Sequence, residues 1–510
     1  MAAVDPERSE WDVIVLGGAA AGENAAQYAG QFSGLETVLV EAALLGGECS
    51  YWACMPSKGL LRPVEWLETA RHLPGVASLV EGASLDLPAV FARRDAVVSH
   101  LSDDGQVQWA LGAGIDVVRG YGRLVGERAI EVTGADGNVR TLTARHAVVI
   151  DTGSSASVPD LPGLRASLPW VSRDVTNMHK VPGRVVILGG GVVGCEAATW
   201  LCGLGAEVTL VHRGESLLEK QEPFAGELVA DSLKERGCRV LLGRSATEVR
   251  RVDAREGGTG WLHGGEVTVT LDDGTQLVAD EIVVALGRVP NTGDIGLPSV
   301  GLKAGGYVSV DDQQQVRGVD GQWLYAIGDA CGKALLTHMG KYQARVAGEV
   351  IAARALNAHV AGPHKTIDPN IAAKLSSADG HRALPQVTFT DPEVGSAGLT
   401  ERQARDAQID VETAEYDMAQ LAGTYLLRDD YVGRAKLVID RATDTIVGAT
   451  FVGSGIADLV HSATVAIGAR VPLSVLWHVV PSYPTPSEIW LRLLETVDHQ
   501  RRSGGDKPEV

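Results

Sequence analysis

Two cysteines stand close together near the N-terminus, and their spacing suggests redox chemistry. Cys49 and Cys54 lie within residues 46–58, GGECSYWACMPSK. The pattern places Cys54 at the start of a helix, where the helix N-terminus would stabilise a thiolate. A zinc site would need two further ligands, and none is close in the sequence. We therefore predict a redox-active cysteine pair and no metal site.

A glycine-rich segment just before the cysteines has the spacing of a dinucleotide-binding turn. Gly17 and Gly22 follow an apolar run and occupy the first and last positions of a Gly-x-Gly-x-x-Gly pattern, with Ala19 in the middle position. Glu41 ends the next apolar run. A carboxylate there can accept hydrogen bonds from a ribose diol, so the segment predicts a first dinucleotide site.

A second glycine-rich turn has all three glycines of the pattern, Gly189, Gly191 and Gly194. The strand that follows ends at His212 and Arg213, where a site specific for NADH would place an acid. Cations at this position would attract the 2′-phosphate of NADPH. We therefore predict NADPH as the nicotinamide cofactor, with NADH as the alternative.

The two turns repeat one plan, a strand followed by a glycine-rich turn, a helix and a second strand. Such a duplication predicts two Rossmann-like dinucleotide-binding domains, and the mixed strands and helices of the last third predict an α+β domain. The fold class is therefore α/β. The expected strands are residues 12–16, 37–40, 147–150, 184–188, 208–211, 282–285, 323–327, 386–389, 435–439 and 445–452, and a helix is expected over 457–469.

Charge and composition restrict the partners of the chain. Its 64 acidic against 45 basic residues give a net charge of −19, which disfavours nucleic acid and anionic membrane surfaces. The N-terminus lacks the basic start and apolar core of a signal peptide, and no uninterrupted apolar run is long enough to span a bilayer. Six cysteines in 510 residues do not form a disulfide scaffold, so we expect a cytoplasmic protein.

Residues 46–58 resemble the GGxCxxxGCxPSK motif of the class I pyridine nucleotide–disulfide oxidoreductases, with Ala53 where glycine is usual. The resemblance extends over about residues 10–495, with its motifs in the family's order. It implies an FAD-dependent enzyme that uses a nicotinamide nucleotide and acts as a homodimer. The further matching segments are residues 152–163 and 285–292 at the domain crossovers, 325–329 at the flavin, and 389–400 at the start of a dimerisation domain.

The resemblance also implies a role for each redox residue. Cys54 would be the thiol against the isoalloxazine ring, and Cys49 the interchange thiol that faces the substrate. Lys58 would lie near flavin N5 and pair with Glu196, so that a fixed cation stabilises the reduced flavin. The other positions that it assigns to FAD are Gly47, Gly122, Thr152, Gly153, Arg288 and Asp329, and Gly287 is assigned to NADPH.

The C-terminal motif departs from the family's pattern. Disulfide reductases of the family carry His-Pro-Thr-x-Ser-Glu, whose His protonates the leaving thiolate, and the matching segment here runs from Tyr483 to Glu488. A phenol has an ordinary pKa near 10, against about 6.5 for imidazole, and is a poor proton shuttle at neutral pH. Mercuric reductase also has Tyr at this position, but its C-terminal cysteine pair is absent from residues 491–510.

Three functions therefore stay open at this point. The chain could be a disulfide reductase with Tyr483 in the catalytic position, or a quinone or metal-ion reductase whose acceptor needs no thiol–disulfide exchange. The third, a non-catalytic flavin redox sensor, is disfavoured because a sensor needs no second nucleotide site. In each enzymatic case the partner is a small-molecule electron acceptor.

The predicted domain order follows from the crossover segments. FAD binding takes residues 1–155 and 287–365, and NAD(P)H binding takes 156–286. The dimerisation domain takes residues 380–498, and 499–510 are expected to be a disordered tail.

Overall fold

The computed structural model describes residues 7–359 and 383–504. Within them the chain forms two compact units, of which unit 1 comprises residues 7–56, 95–157 and 287–359, and unit 2 comprises 57–94, 158–286 and 383–504. The end of the predicted second FAD segment, 360–365, and the last residues of the predicted tail, 505–510, lie outside the described residues. In the described part of the chain, no helix combines the length and the hydrophobicity needed to cross a membrane.

The strands and helices are numbered in chain order. The strands are β1 (Glu10–Leu16), β2 (Thr37–Glu41), β3 (Ile115–Arg119), β4 (Tyr121–Gly126), β5 (Ala129–Thr133), β6 (Val139–Ile150), β7 (Ser154–Ala156), β8 (Arg184–Leu188), β9 (Glu207–His212), β10 (Arg239–Leu242), β11 (Ala246–Arg251), β12 (Val267–Leu271), β13 (Gln276–Ala279), β14 (Glu281–Val284), β15 (Arg288–Pro290), β16 (Leu324–Ala326), β17 (Pro385–Thr388), β18 (Glu393–Gly398), β19 (Val411–Asp417), β20 (Arg434–Asp440) and β21 (Thr445–Gly453). The α-helices are α1 (Ala20–Gly30), α2 (Gly47–Tyr51), α3 (Cys54–Arg71), α4 (Leu87–Val97), α5 (Asp104–Gly112), α6 (Ser172–Thr176), α7 (Val192–Gly203), α8 (Pro223–Glu235), α9 (Thr337–His359), α10 (Glu401–Asp406), α11 (Ala422–Tyr425), α12 (Val460–Gly468), α13 (Leu473–Leu476) and α14 (Ile489–Arg502).

Unit 1 is built on a seven-stranded sheet in the order β3-β2-β1-β6-β5-β4, with β16 paired to β6. Strands β1, β2, β3, β16 and the C-terminal half of β6 run parallel, and β4, β5 and the first half of β6 form an antiparallel extension. The parallel strands β1 and β2 are short apolar runs that are buried almost throughout, because helices cover such strands on both faces. Their carboxyl ends therefore point to the glycine-rich turn that follows β1.

Unit 2 contains three sheets. The parallel sheet has the order β10-β9-β8-β14, and an antiparallel sheet of β11, β12 and β13 belongs to the same stretch of chain. The third sheet is antiparallel, in the order β17-β18-β21-β20-β19, with α12 and α14 packed against its strands. These sheets give unit 2 a Rossmann-like part and an α+β part, as the sequence predicts.

The predicted strands agree with the structure apart from their ends. β6 begins at Val139, well before the predicted 147–150, because its first half pairs antiparallel with β5 and alternates between exposed and buried residues. The expected helix over 457–469 is divided into a 3-10 turn, Ala457–Leu459, and α12. The α/β fold class is confirmed, and the domain boundaries remain predictions.

One prediction about the C-terminus is wrong for residues 499–502. Helix α14 continues to Arg502, where the sequence suggested disorder from residue 499. Arg501 donates hydrogen bonds to the carboxylates of Glu412 and Asp444, and the bond to Asp444 Oδ1 is 2.6 Å long. These ion pairs hold the last turn of the helix, which a polar composition alone does not indicate.

Candidate functional site

The two predicted redox cysteines lie together in unit 1 as thiols. Cys49 lies within α2 and Cys54 begins α3, and the two side chains are hydrogen-bonded to each other. The hydrogen bond to Cys54, together with burial, raises the pKa of Cys49 well above its ordinary value. In the reduced pair Cys49 therefore keeps its proton, and the assignment of the thiolate to Cys54 remains a prediction.

Thr337 is a residue of this cluster that the sequence did not reveal. Its Oγ1 lies 3.6 Å from Cys54 Sγ, and it also hydrogen-bonds Cys49. Thr337 begins α9. The signal available in the sequence was the helix that follows the flavin-contact segment 325–329, although no pattern there indicates contact with the thiols.

The predicted pair of Lys58 and Glu196 is present in unit 2. Lys58 Nζ lies 2.7 Å from Glu196 Oε2 and 3.0 Å from Oε1. Glu196 lies in α7 and is buried, whereas Lys58 is about one third exposed. A carboxylate so buried is retained only when it is paired, and this pairing holds the ammonium group in one place.

Phe389 completes the surroundings of this ion pair and was absent from the predicted site. Its backbone N–H donates to Glu196 Oε1 at 2.9 Å, and the Lys58 ammonium lies 4.6 Å from the centre of its ring. The position follows β17, in the segment that resembles the start of the dimerisation domain.

The first glycine-rich turn leaves no space for side chains at Gly17 and Gly22. Gly17 has φ +107°, and a β-carbon there would lie 2.1 Å from the carbonyl oxygen of Asp151. A β-carbon at Gly22 would lie 2.2 Å from the carbonyl oxygen of Gly17. These contacts bring the start of α1 directly against the end of β1, and the start of a helix has N–H groups without helical partners that can bind an anion.

Glu41, Ala19 and Gly47 lie around the same turn. Glu41 Oε2 accepts a hydrogen bond from Gly18 N–H at 2.7 Å, which fixes the carboxylate beside the second glycine. Gly47 has φ +65°, and a β-carbon there would lie 2.5 Å from Ala19 Cβ. Gly47 is therefore required by this close approach of the cysteine-bearing loop to the turn.

Asp151, at the end of β6, is a further acidic residue that sequence reasoning missed. Its Oδ2 accepts a hydrogen bond from Gly22 N–H at 2.6 Å, and complete burial raises its pKa well above the ordinary range. Asp151 stands between an apolar strand and Thr152-Gly153, and that position was the available signal.

The predicted crossover residues form a connected polar cluster in unit 1. Arg288 donates to Ser154 Oγ at 2.6 Å, and Ser154 Oγ donates to Asp329 Oδ2 at 2.5 Å. Thr152 Oγ1 is buried and has no hydrogen-bond partner in the described part of the chain, and Gly153 has φ +69°.

Gly122 differs from the other predicted FAD positions in its surroundings. It lies in β4, where a β-carbon would lie 2.4 Å from a methyl carbon of Leu16 and 3.1 Å from one of Val40. The packing of these strands alone accounts for a glycine at this position, and its contact with FAD remains a prediction.

The residues of unit 1 fit FAD in shape and chemistry. The glycine turn provides backbone donors for a pyrophosphate, and Glu41 can accept from ribose hydroxyls. Asp329 and the unpaired hydroxyl of Thr152 are polar groups that could form hydrogen bonds with the hydroxyl-bearing chain of FAD. When bound, FAD supplies the two-electron chemistry that none of the side chains can perform.

The second glycine-rich turn has the same construction in unit 2. Gly189 has φ +115°, and a β-carbon there would lie 2.3 Å from the carbonyl oxygen of Ala285. A β-carbon at Gly194 would lie 1.8 Å from the carbonyl oxygen of Gly189, whereas one at Gly191 would meet no atom within 4 Å. The middle glycine therefore faces open space, as a site for pyrophosphate requires.

His212 occupies the position that Glu41 has in unit 1. Gly190 N–H donates to His212 Nδ1 at 3.2 Å, just as Gly18 N–H donates to Glu41. His212 Nδ1 is thus an acceptor here, and the attraction of this side chain for a 2′-phosphate remains a prediction.

Arg213, next in the chain, is exposed and carries a guanidinium group. It is the remaining candidate for contact with a 2′-phosphate. Gly287 lies in unit 1 with φ +118°, and a β-carbon there would meet no atom within 4 Å.

The altered C-terminal motif precedes α14. The side chain of Tyr483 is 75% exposed. Glu488 is buried, and its Oε1 accepts a hydrogen bond from Arg492 at 2.6 Å. Its Oε2 is buried with no hydrogen-bond partner among residues 7–359 and 383–504, so one acceptor of this motif is unused.

The chain is similar to characterised enzymes over nearly its whole length. Dihydrolipoyl dehydrogenase from Chlamydia trachomatis is 28% identical over 487 residues, which cover 94% of this chain and 95% of that protein. Mercuric reductase from Staphylococcus aureus is 27% identical over 484 residues, which cover 94% of this chain and 81% of that protein.

Solved structures show the same fold. The Cu(II) complex of the HOCl-induced flavoprotein disulfide reductase RclA from Escherichia coli has a TM-score of 0.79 at 21% identity, covering 96% of this chain and all of that one. LpdA from Mycobacterium tuberculosis has a TM-score of 0.77 at 23% identity, with the same coverage.

Two family descriptions match the chain and agree with the site. The pyridine nucleotide-disulphide oxidoreductase family matches residues 11–353, and its dimerisation domain matches 384–493. Members of this family use FAD and a nicotinamide nucleotide. The chain therefore belongs to the pyridine nucleotide-disulphide oxidoreductase family, and it is a flavin-dependent oxidoreductase.

Proposed function

We propose that the chain is an NADPH-dependent reductase whose preferred acceptor, a quinone, needs no thiol–disulfide exchange. The observation that carries this proposal is Tyr483 in the position of the family's proton-transferring His. A phenol with an ordinary pKa near 10 neither gains nor loses a proton readily at pH 7. Loss of a general acid–base group costs about 10²–10⁴-fold in rate.

The state of Cys49 supports the same conclusion. Attack on a disulfide requires a thiolate, and the hydrogen bond and burial that raise the pKa of Cys49 keep its sulfur protonated. A disulfide reductase would overcome this with a nearby base. Lys58, held by Glu196, would supply the positive charge that favours the reduced flavin whichever acceptor follows.

We propose NADPH as the electron donor because of the residues after β9. His212 Nδ1 accepts from Gly190 N–H, so the site lacks the carboxylate that would repel a 2′-phosphate at this position. Arg213 adds a permanent cation next to it. A carboxylate is not distant, since Glu219 Oε2 lies 3.7 Å from His212 Nε2, and NADH remains the alternative donor.

A second candidate function is the reduction of a soft metal ion. The thiols of Cys49 and Cys54 are hydrogen-bonded neighbours, and a pair of sulfur ligands suits ions such as Hg²⁺ and copper. The fold neighbour RclA was solved as a Cu(II) complex. Reduction of a metal ion held by these sulfurs would require Cys49, whereas direct reduction of a quinone would not.

The test is a comparison of acceptors with the FAD-loaded enzyme and NADPH. A benzoquinone with a short side chain should be reduced at least about 100-fold faster than glutathione disulfide, because only the reduction of the disulfide requires proton transfer at Cys49. Cys49→Ser should keep quinone reduction and lose the reduction of disulfide, Hg²⁺ or Cu²⁺. If Cys49→Ser abolishes quinone reduction, electrons reach the quinone through the thiol pair and the proposal is wrong.

We further propose a cytoplasmic homodimer. The matched dimerisation domain carries exposed apolar side chains near the C-terminal motif, as a subunit interface would require. A thiol pair that works by cycling between reduced and oxidised forms suits a reducing compartment. The apolar side chains are Val475, Trp477, Val479, Val480 and Tyr483.

A further inference from the structure

A short 3-10 turn, Gly328–Cys331, follows β16 and lies against the first glycine-rich turn of unit 1. A β-carbon at Gly328 would lie 2.9 Å from Asp151 Oδ1 and 3.8 Å from Ala21 Cβ, and one at Gly340 in α9 would lie 3.4 Å from Gly328 Cα. The 3-10 turn is therefore part of the carboxyl edge of the parallel strands β1, β6 and β16. Open α/β sheets bind their ligands at this edge.

The side chain of Gln343 holds this 3-10 turn by hydrogen bonds. Its Oε1 accepts the backbone N–H of Gly328 at 2.8 Å. Cys331 Sγ lies 3.5 Å from the same oxygen and 3.1 Å from the carbonyl oxygen of Gly328. Gln343 lies in α9 and is completely buried, so water cannot replace these bonds. The amide of Gln343 therefore fixes the orientation of the turn relative to α9.

The next residue of the turn is Asp329, one of the predicted FAD contacts. Its Oδ2 accepts a hydrogen bond from Ser154 Oγ at 2.5 Å and lies 3.7 Å from Arg288 Nε. Asp329 is thus held twice, through its carboxylate by Ser154 and through the neighbouring peptide by Gln343. A displacement of Gly328 would change the direction in which the carboxylate of Asp329 points.

Packing alone does not require an amide at position 343. Gln343 Nε2 is buried and has no hydrogen-bond partner among residues 7–359 and 383–504. The N–H of Gly328 needs an acceptor, so Oε1 and not Nε2 faces the turn. An apolar side chain of the same length would fill the same space without a buried donor that lacks a partner. The specific contribution of Gln343 is therefore its hydrogen bond to Gly328.

We propose that Gln343 is a positioning residue for FAD, which sets the direction of Asp329 by holding Gly328. The side chain of Gln343 is buried within unit 1, so it acts through the turn and does not itself touch the cofactor. This inference rests on the assignment of FAD to the first glycine-rich turn. Without the bond from Gln343, the turn should lose its fixed orientation and FAD should be held less tightly.

The test measures the release of FAD from the full-length holoenzyme on dilution, followed by the fluorescence of free flavin. Gln343→Met keeps the length of the side chain and removes the acceptor, so the dissociation constant of FAD should rise at least about tenfold. Gln343→Glu keeps an oxygen that can accept from Gly328 N–H, and it should bind FAD within about threefold of the wild type. Gln31→Met, the same change at an exposed position of unit 1, should have no effect.

A second measurement separates positioning from a general loss of folding. The dissociation constant of NADP⁺ or NAD⁺, whichever the wild type binds more tightly, reports on unit 2 and should stay within about twofold in both variants at position 343. Glu41→Gln tests the assignment of the FAD site independently, since weaker FAD binding in this variant supports the site whatever happens at position 343. The proposal is overturned if Gln343→Met retains FAD as the wild type does. It is also overturned if Gln343→Glu loses FAD to the same extent as Gln343→Met, or if nucleotide binding falls together with FAD binding.

Discussion

The proposed preference for a quinone over a disulfide depends on one side chain of the C-terminal motif, Tyr483. We expect Tyr483→His to raise the reduction of glutathione disulfide by about tenfold, less than the full acid–base factor because the surroundings were not selected for imidazole. Glu488 Oε2, buried and without a partner in the described residues, is an available acceptor that could orient the new ring. Steady-state rates with NADPH measure the change.

Two controls accompany this substitution. Quinone reduction should stay within about twofold in Tyr483→His, because it requires no proton shuttle. Tyr425→His changes another largely exposed tyrosine and should alter neither activity. Rapid disulfide reduction by the wild type that disappears in Tyr483→Phe would instead identify Tyr483 as a working acid.

The preference for NADPH over NADH is predicted to depend on one side chain, Arg213. Arg213→Ala should lower kcat/KM for NADPH by about 10–100-fold, the value of a lost charge-assisted phosphate contact, and leave NADH nearly unchanged. Arg250→Ala, which removes an exposed arginine of β11, is the control. Equal loss with both nucleotides would show that Arg213 has a structural role and does not read the 2′-phosphate.

Glu393 makes the stability of unit 2 depend on pH. Burial, together with the nearby charge of Glu65, raises the pKa of Glu393 to about 7, from an unfolded value of 4.5. Between about pH 4.5 and pH 7, Glu393 is protonated in the folded state and ionised in the unfolded state. The free energy of unfolding therefore falls as the pH rises through this range, and it levels off above about pH 7. The total loss in the free energy of unfolding across this pH range is on the order of 3 kcal/mol.

Replacement by an amide removes this titration. Glu393→Gln should therefore gain thermal stability relative to the wild type as pH rises through the window, and the gain should be constant above pH 7. Thermal midpoints at a series of pH values, at one FAD concentration, provide the measurement. Glu207→Gln, at an exposed strand position, should show no such trend. A gain that is equal at pH 5 and pH 8 would contradict the proton linkage.

At the scale of elements, the close packing of α1 on α9 holds the first glycine turn in place. A β-carbon at Gly348 in α9 would lie 2.7 Å from Tyr28 Cβ and 2.9 Å from the backbone nitrogen of Ala29. Gly348→Ala should therefore destabilise the protein by about 1–3 kcal/mol, because the neighbouring backbone cannot yield easily. Chemical or thermal unfolding measures the effect, and weaker retention of FAD should accompany it.

A matched glycine is available in another helix of the same unit. A β-carbon at Gly105 in α5 would meet no atom within 4 Å. Gly105→Ala should leave stability unchanged or raise it by up to about 1 kcal/mol, the difference in helix propensity. Similar losses at Gly348 and Gly105 would show that helix packing is not the reason for the effect.

For the whole molecule, assembly should be required for activity, because the resemblance places the C-terminal motif in the site of the partner subunit. Val480 is an exposed apolar side chain of this region, at 85%. Val480→Glu should shift the protein from dimer to monomer in sedimentation and reduce activity, since an interface core does not accept an unpaired charge. Phe32→Glu, equally exposed in unit 1 at 84%, should do neither. An active wild-type monomer of 53.6 kDa would contradict the proposed assembly.

The sequence by itself determined the repeated plan of the fold and the positions of its two glycine-rich turns. Short apolar runs that end in glycine specify strand, turn and helix through contacts between near neighbours, so 12–16 and 184–188 were predicted almost to the residue. The Cys49–Cys54 spacing was informative for the same reason, since both thiols lie in one short segment.

Tertiary structure alone decided which distant side chains meet. Thr337 joins the thiols and Asp151 lies under the first turn, in each case across many residues of chain. It also decided that His212 accepts a hydrogen bond from Gly190 N–H, a choice of side-chain rotamer that no local pattern contains. Such contacts depend on how helices and strands pack, and packing is a property of the folded chain as a whole.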